Sequence, residues 1–164
     1  MSILRHSLHV VLFEPEIPPN TGNIIRLCAN TGAKLHLVEP LGFSLDAKAL
    51  RRAGLDYHET ATIQSHADLK ACFDHLEINT SGNRVFAVTT KGSIAHHEAC
   101  YEYGDILLFG PETRGLPDEV LEDPKIAQKI RIPMRAQSRS LNLSNAVSII
   151  TYEALRQMKF PDRI

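Results

Sequence analysis

Apolar residues in this chain fall into two kinds of pattern, short continuous or alternating runs and stretches spaced every third or fourth position, and the two take turns along the sequence. The run His9–Phe13 reads as a strand. Glu14–Asn20 after it holds three prolines, which continue neither a helix nor a central strand, so a shaped loop is expected. Ile24, Leu27, Cys28 and Thr31 then recur at helical spacing. They predict a helix over Thr21–Thr31 with Asn20 or Thr21 as its cap, Gly32 as its stop and Arg26 off the buried stripe. Lys34–Val38 alternates as a strand, Asp46–Ala53 reads as a short helix ended by Gly54, and Asp56–Ile63 reads as strand in preference to helix. Helical spacing returns at Ala67, Ala71 and Leu76, and Ser81-Gly82-Asn83 marks a turn. Val85–Thr89 and Ile106–Phe109 are apolar enough to be fully buried strands. Pro117 with Asp118 and Glu119 starts a helix, Lys129–Ile132 is the last strand, and Asn142–Met158 the last helix.

Strands alternating with helices predict an α/β fold with a mainly parallel sheet flanked by helices. In such a sheet, ligands bind beyond the carboxyl ends of the strands. The loops that fall there are Glu14–Asn20, Thr89–Gly92, Gly110–Gly115 and Pro133–Leu141. The last helix is apolar over a wider arc than one buried face needs, with Ala146, Val147, Ile149, Ile150, Ala154, Leu155 and Met158. Burial on two sides follows, either inside the domain or against a second subunit, and a homodimer is the expectation.

Composition narrows this picture. A chain of 164 residues with 43% apolar and 23% charged positions suits one globular domain over 1–164. The apolar run Leu8–Phe13 is too short to span a bilayer and lacks a signal-peptide pattern, so a cytoplasmic protein without membrane contact is expected. Cys28, Cys72 and Cys100 are odd in number and widely spaced, which fits neither a disulfide framework nor a zinc motif, and they read as reduced thiols in or near the core. The net charge of −1 argues against a general polyanion binder. Yet no acidic residue lies between Asp123 and Glu153, where Lys125, Lys129, Arg131, Arg135 and Arg139 all fall.

The sequence has no G-x-x-x-x-G-K-[ST], no G-x-G-x-x-G after the first strand, no H-E-x-x-H, no C-x-x-C and no G-x-S-x-G. Phosphate cradles, motif-borne metals and acyl-transfer elbows are therefore not indicated. Three other segments carry polar chemistry. Ser138-Arg139-Ser140-Leu141-Asn142-Leu143-Ser144-Asn145 offers hydroxyls, side-chain amides and helix-start N–H groups suited to a polar small molecule, whereas helix capping explains only one of these residues. Phe109-Gly110-Pro111-Glu112-Thr113-Arg114-Gly115-Leu116 ends a buried strand at a glycine and on its own reads as a tight turn. Asn20-Thr21-Gly22-Asn23-Ile24-Ile25-Arg26 sets an arginine one turn into a helix, either to hold an anion or simply as an exposed side chain.

Together these segments resemble the three motifs of the SPOUT superfamily of RNA methyltransferases, in its SpoU-type 2′-O-methylating branch, from about Leu8 to Met158. The resemblance implies a C-terminal trefoil knot at about 85–158, S-adenosylmethionine as cofactor with S-adenosylhomocysteine as product, tRNA as partner, no metal, and a homodimer. The knot rests on the resemblance alone, because chains as a rule avoid threading their loops. The likeness assigns Val88, Gly110, Ile132, Met134, Ser140 and Leu141 to the cofactor, and Asn20, Arg26, Glu112, Ser140 and Asn142 to the reacting hydroxyl. It makes Arg114, Arg131, Arg135 and Arg139, with Arg51 and Arg52, candidates for RNA backbone contacts. The short chain and Glu14-Pro15-Glu16-Ile17-Pro18-Pro19-Asn20 are similar to the minimal members of the branch, which methylate the wobble nucleotide, cytidine or uridine 34, of leucine tRNAs. The alternatives are 2′-O-methylation of another tRNA or rRNA site, or an RNA-binding factor without the chemistry.

Overall fold

The computed structural model describes residues 7–60 and 62–161. Its strands are β1 (His9–Phe13), β2 (Lys34–Val38), β3 (Gln64–His66), β4 (Val85–Val88), β5 (Ile94–Ala95), β6 (Ile106–Phe109) and β7 (Ile126–Arg131). They form a seven-stranded sheet in the order β3-β2-β1-β6-β4-β7-β5. Every pairing in it is parallel. Parallel strands are connected by crossovers that put helices on the faces. These are α1 (Pro18–Thr31), α2 (Ala47–Arg52), α3 (Tyr57–Thr60), α4 (Leu69–His75), α5 (Ile78–Ser81), α6 (Asp118–Leu121) and α7 (Leu143–Gln157).

Alternation along the strands sorts the core into two layers. On one face Val10, Leu12, Leu35, Leu37, Leu107 and Phe109 pack with Ile24 and Cys28 of α1 and Val147, Ile150 and Ala154 of α7. On the other, Val11, Val38, Val85, Ala87 and Leu108 pack with Cys72, Phe73 and Leu76 around α4 and with Val120 and Leu121 of α6. The central strands β4 and β6 are buried along their length apart from Val88, as their apolar runs predict.

Several boundaries differ from the sequence reading, each for a local reason. Helix α1 begins at Pro18, with Ile17 as its cap position, so Asn20 and Thr21 lie inside the first turn and do not cap it. Its two prolines occupy positions where no backbone N–H is required. Gly32 stops the helix in the left-handed region at φ 78°, as expected. Part of Asp56–Ile63 is the helical turn α3, where the Asp56 carboxylate accepts from the Glu59 N–H at 2.8 Å and selects helix over strand. Strand β3 escapes notice because its residues Gln64, Ser65 and His66 carry no apolar alternation. Strand β5 has only two residues, and β7 starts at Ile126, earlier than its apolar end suggests. Cys28 and Cys72 are buried free thiols, but Cys100 is exposed. Helix α7 has one buried face, and its other side leaves Ile149 and Tyr152 exposed. Among the described residues no helix is long and apolar enough to cross a membrane.

Candidate functional site

The chain leaves β1 toward β2 on one side and leaves β6 toward β7 on the other, so the crossovers diverge at the adjacent pair β1 and β6. A crevice beyond the carboxyl ends of the strands is the outcome expected of such a switch point. It is present as a cavity of about 510 Å³, lined from all four loops that the sequence singles out. That volume lies within the range typical of small-molecule sites.

A chain of hydrogen bonds ties three distant segments together at its floor. The Glu112 carboxylate accepts from the backbone N–H of Glu16 at 2.8 Å and of Ile17 at 2.6 Å, and from Asn20 Nδ2 at 3.3 Å. The Asn20 carbonyl oxygen in turn accepts from Asn142 Nδ2 at 2.8 Å. Asn142 Oδ1 then caps α7, accepting from the N–H groups of Ser144 and Asn145 at 2.9 and 3.3 Å and from the Ser144 hydroxyl at 2.6 Å. Reciprocal bonds join the loops after β1 and β6: Glu16 Oε1 accepts from the Thr113 N–H at 3.0 Å and its hydroxyl at 2.7 Å, and Arg114 donates to Glu14 at 2.7 Å. The Thr113 backbone and side-chain donors hold the Glu16 carboxyl below its ordinary pKa.

The cavity walls are mixed. Val88, Ile132, Met134 and Leu141 supply apolar surface, and Ser140 a hydroxyl. Met134, Leu141 and Ile17 are 38%, 39% and 41% exposed, unusual for large apolar side chains, and all three border the cavity. Gly110 turns the chain out of β6 so tightly that a Cβ there would stand 2.3 Å from the backbone nitrogen of Leu116.

The residues that the sequence assigns to the cofactor, Val88, Gly110, Ile132, Met134, Ser140 and Leu141, therefore all border one cavity. Of those assigned to the reacting hydroxyl, Asn20, Glu112, Ser140 and Asn142 border it too, but Arg26 does not. Arg26 is half exposed elsewhere on α1, donating from Nη2 to the Gly54 carbonyl at 2.8 Å and from Nε to Glu59 at 3.2 Å. Among the basic candidates, Arg114 borders the cavity and is paired with Glu14. Arg131 is half-buried and donates to the Gly92 carbonyl at 3.2 Å. Arg135 and Arg139 are exposed on the loop before α7, and Arg51 and Arg52 are exposed at the end of α2. Thr90 and Lys91, which the sequence marks only as loop, also line the cavity, as do Thr89, beside Val88, and Ile17. Their position after a buried parallel strand was the available signal.

The chain belongs to the SpoU rRNA methylase family, whose pattern matches residues 7–152. A relative from Yersinia pestis named tRNA (cytidine(34)-2′-O)-methyltransferase is 62% identical over 155 residues, covering 94% of this chain and 96% of the relative. A solved structure described as giving insight into the 2-OH methylation of C/U34 on tRNA is 46% identical and superposes with a TM-score of 0.84, covering 95% of this chain and 99% of that one. An AdoMet-bound rRNA methyltransferase from Sinorhizobium meliloti is 27% identical with a TM-score of 0.78, covering 96% of this chain and 61% of that one.

Removing the cap that anchors this chain of bonds has a measurable cost. Asn142→Ala loses the α7 cap and leaves Asn20 without one of its two partners, so urea unfolding should show a loss of about 1 kcal/mol or more. An unchanged midpoint and slope would show that the capping bonds contribute nothing net.

Proposed function

We propose that the chain transfers the methyl group of S-adenosylmethionine to the ribose 2′-hydroxyl of the wobble nucleotide, cytidine or uridine 34, of tRNA, leucine tRNAs being the expected class. The observation that carries this reading is the meeting of three separated sequence segments around one mixed cavity. The names of the relatives supply the nucleotide. Residues 1–164 act as one domain, working in the cytoplasm where tRNA is modified. A trefoil knot within about 85–158 is part of the reading. One close backbone approach between distant segments supports it, Gly92 on Ile130 and Arg131.

The residues present fit the donor. Apolar walls at Val88, Ile132, Met134 and Leu141 suit a flat base, and the glycine-tight turn at Gly110 lets backbone groups approach closely. When bound, S-adenosylmethionine supplies a methyl group on a positively charged sulfur, already activated for in-line displacement. The protein's task is then chiefly position. The 2′-hydroxyl must also lose its proton, and a guanidinium, which stays protonated in proteins, does not accept one. Arg26 instead stabilises the developing alkoxide or the adjacent phosphate electrostatically. Glu112 and Asn142 already have their oxygens occupied by protein donors, so they hold Asn20 and the two helix starts in place. Orientation of the hydroxyl then falls to Ser140, whose side chain is exposed in the cavity.

Arg26 stands apart from the cavity of its own chain, so it serves the cavity of a second subunit in a homodimer. The apolar side chains left exposed along and beyond α7, Ile149, Tyr152 and Phe160, support that pairing. Exposed Arg135 and Arg139 contact the RNA backbone, while Arg114 and Arg131 are held by their own loops and shape the site.

Incubation with labelled donor and unmodified tRNAs, followed by nucleoside analysis, should yield 2′-O-methylcytidine or 2′-O-methyluridine at position 34. Label confined to rRNA would overturn the substrate assignment. In the same assay Arg26→Lys should lower turnover about a hundredfold, since the electrostatic contact is made through the forked guanidinium, which is lost while the charge stays; near-normal turnover would refute a role that needs the bidentate donor. Arg139→Gln should weaken tRNA binding and flatten its salt dependence by about 0.7 in the log–log slope. An unchanged slope would take Arg139 out of the RNA footprint.

A further inference from the structure

A second cluster of chemically capable side chains lies on the face of the sheet that α4 covers, and methyl transfer makes no use of it. Strands β1, β2 and β3 each direct one histidine to that face, His9, His36 and His66. His9 Nδ1 lies 3.1 Å from His36 Nε2, and His36 Nδ1 lies 3.0 Å from His66 Nε2. Helix α4 adds Cys72 and, three residues later on the same side, His75, whose ring centroid is 5.3 Å from that of His66 and 5.9 Å from that of His36. One ligand atom from each of His36, His66 and Cys72 falls within 4.8 Å of the others.

We propose that His36, His66 and Cys72 bind a zinc-type divalent ion that pins α4 to the β1–β3 side of the sheet, a fourth position being filled by water or by a turn of the neighbouring His75 ring. The donor set is imidazole nitrogen with one thiol sulfur, the combination that suits zinc and its neighbours over magnesium or calcium. Tetrahedral coordination at about 2.0 to 2.3 Å holds ligand atoms about 3.3 to 3.7 Å apart. The His36 and His66 nitrogens already lie a few tenths of an ångström inside that separation, so a small opening of the two rings admits the ion. The further nitrogen of His36 bonds to His9, the kind of outer contact that fixes a ligating ring's tautomer and tilt.

Cys72 is a free, buried thiol. On binding, the S–H bond breaks, the sulfur keeps the electron pair and bonds to the ion, and the proton leaves to solvent. No spacing motif reveals the site because its ligands come from separate strands and a helix, His36, His66 and Cys72 lying in β2, β3 and α4.

The test uses the full chain without a histidine tag, treated with chelator and titrated with Zn²⁺ by calorimetry and with Co²⁺ by absorbance. One equivalent per chain, proton release, a raised melting temperature and a thiolate-to-cobalt charge-transfer band are expected. Cys72→Ser should abolish that band, and His66→Gln should weaken binding at least about tenfold. Methyl transfer by both variants should stay unchanged. Because Cys72 is fully buried, its variant is checked for folding by circular dichroism; His66, on the half-exposed edge strand, keeps the test decisive if that variant fails. Absence of stoichiometric uptake, a cobalt complex without the thiolate band, or uptake unaltered in His66→Gln would each overturn the proposal.

Discussion

Everything at the carboxyl end of the sheet depends on one carboxylate. The first N–H groups of a helix have no partner within it, and the helix start carries partial positive charge, so an acceptor must come from elsewhere. For α1 that acceptor arrives from nearly a hundred residues away, as Glu112 bonds the N–H of the cap residue Ile17, that of Glu16 before it and the side-chain amide of Asn20. The two prolines that open the helix remove donors of their own and leave these few to be satisfied. The loop after β6 therefore cannot shift without disturbing α1, and through Asn20 and Asn142 the start of α7 is held as well. Cavity floor and helix starts form one construction.

The sheet divides its work between two faces. One carries α1 and α7, which bring Asn20 and Asn142 to the cavity and leave apolar side chains on the outer side of α7. The other carries α4 and α6 and encloses the imidazole cluster beneath α4. Chemistry at the strand ends and anchorage on the far face thus share strands but not side chains, because neighbouring residues of a strand point to opposite sides. His9 and His36 lie among apolar residues for the same reason, each in line with a buried valine of its own strand.

Much of this was legible in the sequence where local physics decides. Strands β1, β2 and β6 match their predicted limits residue for residue, since short β-rich or apolar runs bounded by loop residues have few alternatives. Gly32 and Asn142 end and start their helices as read. The misses have their own physics. A polar edge strand such as Gln64–His66 is held by its neighbour's backbone, not by an apolar face, so no pattern announces it. The turn at Tyr57–Thr60 was decided by a single Asp56 side chain. At the site, residue types suggested ligand binding at Ser138–Asn145 but gave no hint that Glu112 caps a distant helix, because such contacts join positions more than ninety apart. Nor did residue types show that Arg131 donates to the Gly92 carbonyl.

The turn at Gly110 bears on how such a chain can vary. The space a side chain would need there is filled by the backbone of Gly115 and Leu116, so the stretch between is fixed in length as well as in composition. An inserted or deleted residue would shift the contact that Gly110 makes with Gly115 and Leu116, since the loop begins and ends against itself. A Cβ at Gly82 would meet no atom within 4 Å, so that turn absorbs such changes at less cost. Divergent copies of this fold would then be expected to drift in length at Gly82 while keeping count at Gly110, which makes the spacing between Phe109 and Leu116 a ruler for aligning them.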